Sequence, residues 1–147
     1  MSLIVTCYYF TNTGKSRENN EDSLLIDDFI VSNVSMVKSV KKEFKDNHHI
    51  FCVADGIGGH KKGEVASFEI LSFLLQNIWT NGNLSNLPDL ITHAKFHLNE
   101  IVSKNPDLFN FGATIAGIGI VDTNLIIFNS GDSRVYRLNE IFFERIT

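Results

Sequence analysis

The stretch Phe51-Cys52-Val53-Ala54-Asp55-Gly56-Ile57-Gly58-Gly59-His60 passes from apolar residues to one acid and then to glycines. With Ile50 before it, the run Ile50 to Ala54 is continuously apolar, which predicts a short strand covered on both faces. An acid at the end of such a strand, followed at once by glycines, sets a carboxylate at a sheet edge where backbone can approach a ligand closely. Hard cations such as Mg²⁺ and Mn²⁺ take oxygen ligands, and here Asp55 offers a carboxylate and Gly56 a bare carbonyl. A strand closing in a plain Asp-Gly turn fits the same residues. Beyond the glycines, Val65, Phe68, Leu71, Leu75 and Ile78 recur at helical spacing, which predicts an amphipathic helix over 64–79. Asn81-Gly82-Asn83 ends it.

Upstream, residues 3–11 are β-branched and aromatic and predict a first strand, followed by a polar loop over 12–20. Residues 23–32 predict a second strand with a turn at Asp27-Asp28. Residues 33–49 carry Lys38, Lys41, Lys42 and Lys45 and read as a solvated excursion with a helical turn or two. Downstream, Leu87, Leu90, Ile91, Ala94, Leu98 and Ile101 share one face of a second helix over 87–103, stopped by Asn105-Pro106-Asp107. Strands are then expected over 114–121, 125–129, 134–138 and 141–146, with turns at Asp122-Thr123-Asn124 and Ser130-Gly131-Asp132. Strands, two helices and an antiparallel meander make an α+β order within one domain over 1–147. A last strand reaching Thr147 leaves a meander edge uncovered, so the chain is expected to stop in mid-domain.

Composition narrows the function classes. The 147 residues carry a net charge of −4, with 44% hydrophobic and 20% charged residues. Such a chain is neither disordered nor collagenous, and its mild acidity gives no global attraction to nucleic acid or anionic lipid. The longest apolar run, Phe111 to Val121, is too short to cross a bilayer. Met1 to Phe10 lacks the basic segment and cleavage site of a signal peptide. Cys7 and Cys52 lie in strand-like runs and read as buried thiols in a reducing compartment; the expected setting is cytoplasmic, with no nucleic-acid or membrane partner.

Two further segments could carry chemistry. In Lys15 to Ser23, Glu21 and Asp22 sit at a loop-to-strand junction a few residues after Arg17. A guanidinium there can clamp a phosphate while the acids hold metal, although a merely polar loop fits too. Phe128 to Tyr136 reads on its own as a hairpin turn, with Gly131 at the positive-φ position and Asp132 and Arg134 on the surface. Other features carry less. His93 and His97 have a zinc-binding spacing but no third ligand, and so describe a solvated helix face. His48-His49 read as loop residues, and Gly117 and Gly119 are too weak a signal for a nucleotide site. Trp79 and the helix phenylalanines read as core, and the Lys38–Lys45 charges as a solvated face.

Taken in order, these segments resemble the metal-dependent PPM (PP2C-type) Ser/Thr phosphatases, particularly their bacterial branch. The family's opening Gly, Arg and Asn-Glu-Asp stand here as Gly14, Arg17 and Asn20-Glu21-Asp22. Its Val-Ala-Asp-Gly-x-Gly-Gly-His strand end stands as Val53 to His60, with Ile57 where Met is usual. Gly63 to Ser67 matches its helix start, Gly112-Ala113-Thr114 its Gly-x-Thr strand, and Gly131 to Arg134 its Gly-Asp-Ser-Arg hairpin. The resemblance implies a β-sandwich of antiparallel sheets flanked by helices. It also implies two Mn²⁺ or Mg²⁺ ions at one end that activate a water for in-line attack on phosphoserine or phosphothreonine. Residue by residue, Asp55 would bridge the metals, the Gly56 carbonyl would bind one, and Glu21 and Asp22 would bind metal directly or through water. Arg17 would hold the substrate phosphate, and Asp132 would contribute to a third, weaker metal site. His60 does not directly follow Asp-Gly, a place taken here by Ile57, and receives no catalytic role.

The family's pattern runs on beyond this chain. Arg145-Ile146-Thr147 looks like the start of its Leu-Thr-x-Asp-His element, and its later Ser-Asp-Gly and Asp-Asn motifs supply further metal carboxylates. Asp89, Asp107 and Asp122 stand in helix or turn contexts that do not replace them. The expectation is therefore a half-built metal site with weakened affinity, inactive in this chain alone unless a second chain completes it. The implied substrate is a phosphoprotein made by a Ser/Thr kinase. The alternative is a catalytically inactive PP2C-like domain acting in binding or regulation.

Overall fold

The structure, a computed structural model, describes residues 3–57, 62–79, 86–108 and 110–147. Its strands are β1 (Ile4–Tyr9), β2 (Asp22–Ile26), β3 (Phe29–Ser32), β4 (Val40–Lys45), β5 (His48–Ile57), β6 (Gly112–Val121), β7 (Asn124–Ser130), β8 (Tyr136–Leu138) and β9 (Phe143–Arg145). The helices α1 (Gly63–Ile78) and α2 (Leu87–Lys104) lie between β5 and β6, and a 3₁₀ turn, Pro106–Leu108, follows α2. Five strands form one sheet in the order β3-β2-β5-β6-β7, every pairing antiparallel. β1 pairs with β4, and β8 with β9, as separate antiparallel pairs.

The period-2 alternation of strands divides the core into two. On one face of the large sheet, Leu25, Ile50, Cys52, Ala54 and Ile115 pack against Ala66, Ile70, Leu71, Leu74 and Ile78 of α1, with α2 outside. On the other face, Leu24 and Ile26 meet Phe44, joined by the partly buried Cys7, Tyr9 and Phe51. The result is a sandwich of antiparallel sheets with helices outside, as the family resemblance implies. The β2–β3 and β6–β7 turns carry Asp27 and Asp122 at φ 59° and 54°, a left-handed conformation that short acidic side chains tolerate and tight hairpins use. Both cysteines are free, Cys52 buried and Cys7 partly so. Among the described residues no helix is long and apolar enough to cross a membrane.

Five expectations need correction. The excursion over 33–49 contains a strand, β4, whose Phe44 is buried opposite Val5; the surrounding lysines hide the alternation, and Lys42 lies over the rings of Phe29 and Phe44. His48 and His49 belong to β5, and His49 is buried, with Nδ1 3.2 Å from both Asp27 carboxylate oxygens and Nε2 3.0 Å from the Asp46 carbonyl oxygen. β5 is covered along one face only, since β1 and β4 reach part of the other and leave Val53 42% exposed. The buried face of α1 is rotated from the predicted one: small Ala66 and Ser67 turn inward, while Val65, Phe68 and Trp79 are exposed, as is Phe96 on α2. Finally, the meander ends at β7, because among the described residues β8 pairs with β9 and not with β7. The predicted helix stop at Asn81-Gly82-Asn83 and the residues Gly58, Gly59 and His60 lie outside the described residues.

Candidate metal centre

Antiparallel register brings the candidate acids together. Asp22 on β2 is the cross-strand partner of Asp55 on β5, and Asp55 is the partner of Thr114 on β6. Alternation puts Asp22 and Asp55 on the face turned away from the helices, in line with Leu24 and Val53. There they border a cleft of about 440 Å³ whose polar side is formed with Thr11, Asn12 and Ser133. Asp22 is exposed, but partial desolvation pushes its carboxyl above the ordinary range, and the negative charges of Asp55 and then Glu21 push it the same way.

Glu21 is tied at both ends. Its carbonyl accepts the Gly56 N–H at 3.1 Å, and its carboxylate lies 3.3 Å from Arg17 Nη1. Arg17 itself is 71% exposed, so its guanidinium faces solvent beside the acids. Gly56 and Gly63 explain why glycines are needed here. A Cβ on Gly56 would stand 1.8 Å from the Gly63 carbonyl oxygen, and one on Gly63 would press on the Glu21 side chain at 3.0 Å. The end of β5, the start of α1 and Glu21 therefore meet backbone to backbone. Behind them the hydroxyls of Ser23 and Ser67, both fully buried, are 2.9 Å apart and tie β2 to α1.

Asp132 is exposed on the turn between β7 and β8. That turn is anchored to the end of the acidic row: the Ser133 and Thr114 hydroxyls are 2.6 Å apart, and the Asn129 side-chain amide donates to the Ser133 carbonyl. Gly131, at φ 110°, sits so close over Thr114 that a Cβ would approach its side chain to 2.7 Å. The structure thus joins Asp22 to Asp55, sets Glu21 and Gly56 beside them, pairs Arg17 with Glu21, and holds Asp132 on a turn flanking the cleft. Among the described residues, no three carboxylates, imidazoles or thiolates converge into one metal-binding group. The donor set is nevertheless that of a hard divalent cation, because oxygen ligands suit such an ion and its positive charge would relieve the crowding of negative charge around the Asp22 carboxyl. The fit is to one side of a centre. Sequence reasoning assigned no role to Asn20, Thr114 or Ser133; all three stand inside quoted motifs, but only the folded structure shows what they touch. His97 lies 3.3 Å from Glu69 and stacks on Phe73, against α1, whereas His93 is exposed.

No protein-family model matches the chain. It is 29% identical over 145 residues to the Ser/Thr phosphatase stp of Listeria welshimeri, covering 93% of this chain and 51% of that protein. It is 32% identical over 150 residues to the Ser/Thr protein phosphatase PstP of Mycobacterium tuberculosis, covering 100% of this chain and 25% of that one. Among solved structures, Ser/Thr phosphatase Stp1 of Staphylococcus aureus superposes with a TM-score of 0.75 at 28% identity, over 99% of this chain and 53% of that chain. The PstP catalytic domain in complex with two manganese ions gives 0.73 at 25% identity, over 100% and 56%. The chain spans about half the length of the Listeria relatives it matches. By sequence and by fold, it matches the N-terminal part of the bacterial PPM, PP2C-type Ser/Thr phosphatases.

Proposed function

We propose that residues 1–147 form the N-terminal portion of a PPM-type domain that hydrolyses phosphoserine or phosphothreonine in proteins with Mn²⁺ or Mg²⁺. The observation that carries this reading is the Asp22–Asp55 register pair opening into a cleft, in a chain similar to phosphatases of which one is described with two manganese ions. Asp22 and Asp55 would hold the cation with Glu21 and the Gly56 carbonyl, and Asp132 would serve a weaker third site. Once bound, such a cation lowers the pKa of a water enough for it to attack phosphorus near neutral pH. The chain's own contribution is to gather negative charge at one point and to keep it oriented. Arg17, solvent-facing and paired to Glu21, can turn its guanidinium to a phosphate and bind two of its oxygens. Cytoplasmic phosphoproteins left by Ser/Thr kinases are the substrates this reading implies.

A second reading has its own support. The described residues bring no three metal ligands together, which favours a domain that binds phosphoprotein without turnover, or one whose site a second chain completes. Hydrolysis of a small phosphate ester by this chain, with and without Mn²⁺ and beside Asp55→Asn, separates the readings. Mn²⁺-dependent turnover that Asp55→Asn abolishes supports the hydrolase; turnover untouched by Asp55→Asn removes Asp55 from the site. A folded chain without turnover supports the second reading.

A further inference from the structure

We propose that Asn20 is the positioning residue that fixes Glu21 and Asp22 for a divalent cation; this rests on the reading of those acids as metal carboxylates. Asn20 is buried, 5% exposed, one residue before Glu21. Its Nδ2 donates to Thr11 Oγ1 at 2.6 Å and to the Val34 carbonyl at 2.8 Å, and its Oδ1 accepts the Asp22 N–H at 3.2 Å. The orientation of the amide follows from its partners, since a backbone N–H only donates and a backbone carbonyl only accepts. One side chain thereby joins the segment after β1, the segment after β3 and the first residue of β2.

The frame it grips is already braced. Met36 N–H donates to the Thr11 carbonyl at 2.9 Å, and Asn12 Nδ2 donates to the Met36 carbonyl at 2.9 Å. Asn20 connects this frame to the acids, and Glu21 passes the constraint on through its carbonyl to the Gly56 N–H. The chemistry also explains an amide rather than an acid at this position. A carboxylate at 20 would keep the acceptor for Asp22 but set a negative oxygen against the Val34 carbonyl, beside two acids that already repel. Hydrogen bonds behind metal ligands orient them, and their loss commonly weakens metal binding about ten- to a hundredfold.

The test uses the whole chain and Mn²⁺ alone, with calorimetric titration and residue-resolved amide exchange in metal-free protein. Asn20→Ala and Asn20→Asp are expected to weaken Mn²⁺ binding about ten- to a hundredfold. In Asn20→Ala, which loses the acceptor for the Asp22 N–H, exchange at Asp22 and Gly56 is expected to accelerate while β6 and β7 keep their protection. The Asp variant separates orientation from charge, because an added carboxylate that merely deepened the negative field would tighten Mn²⁺. Binding by Asn20→Asp equal to or tighter than wild type overturns the proposal, as does unchanged exchange at Asp22 and Gly56 in Asn20→Ala. Should both variants fail to fold, Thr11→Val removes one acceptor at nearly constant shape, with a few-fold loss of affinity and faster Asp22 exchange expected. No change in either quantity overturns the proposal. A wild-type chain without Mn²⁺ affinity overturns the metal reading, and the exchange measurement then decides the positioning claim alone.

Discussion

Asp22 and Asp55 face each other across two strands, a placement in which like charges destabilise the sheet and a cation between them would reverse the sign. Asp22→Asn should therefore raise the thermal midpoint of the metal-free chain, by on the order of 0.5 kcal/mol in stability, while removing the stabilisation that Mn²⁺ gives to wild type. A midpoint that falls in the metal-free variant would contradict the repulsion. Cys52 makes a different prediction, because complete burial pushes its thiol well above its ordinary range. Below about pH 7.5 the thiol is protonated in both folded and unfolded chains and contributes no pH dependence. Above that, the unfolded thiol ionises and the buried one does not, so stability falls with rising pH by up to about 1.4 kcal/mol per unit. Denaturant midpoints measured from about pH 8 to about pH 10 should show this slope, and Cys52→Ala should flatten it. Cys7, raised by partial burial, retains a share in the variant.

α1 shows how a correctly placed helix can still be misread. Apolar residues at helical spacing locate it, but large side chains alone do not tell which stripe faces the sheet. Ala66 and Ser67 are fully buried because the helix start must come within backbone contact of Gly56, and only small residues allow that approach. Val65 and Phe68 are turned out as a consequence. Leu71→Ala should accordingly cost about 2–5 kcal/mol in chemical denaturation, whereas Phe68→Ala should stay within about 1 kcal/mol. Equal costs would restore the stripe predicted from hydrophobic spacing. β4 failed to show in the sequence for a related reason: its inward Phe44 is flanked by Lys41, Lys42 and Lys45, whose charges suit an exposed edge and conceal the alternation. The remaining strands and both helices were legible because their apolar periods are unbroken. The acidic row was legible only as separate motifs, since the register that joins Asp22 to Asp55 and Asp55 to Thr114 has no local signal in the residues themselves.

The two faces of the large sheet differ in cover. Helices close one, whereas the other is closed only where β1 and β4 lie over it, leaving an apolar cleft of about 330 Å³ between Tyr8 to Phe10 and Arg134 to Tyr136. Tyr8 in its wall is 67% exposed, and on and between β8 and β9 Leu138 is 75%, Ile141 89% and Phe143 66% exposed. Each such side chain left in water forgoes about 1.5–3 kcal/mol relative to full burial. Exposed apolar side chains of this size, where they cluster, mark surfaces that meet another surface. The β8–β9 hairpin holds its own shape through the stacked rings of Tyr136 and Phe143, 4.9 Å between centroids, and a side-chain pair between Arg137 and Glu144. Its outer residues can therefore be changed without undoing the sandwich. The free chain should bind a hydrophobic dye and associate as its concentration rises, because water is expelled whenever two such surfaces meet. Leu138→Lys together with Ile141→Lys should lower both signals, measured by dye fluorescence and sedimentation, and leave the far-ultraviolet spectrum unchanged. Association that persists in the double variant would place the sticky surface elsewhere, the exposed β1 residues Ile4 and Tyr8 being the next to test.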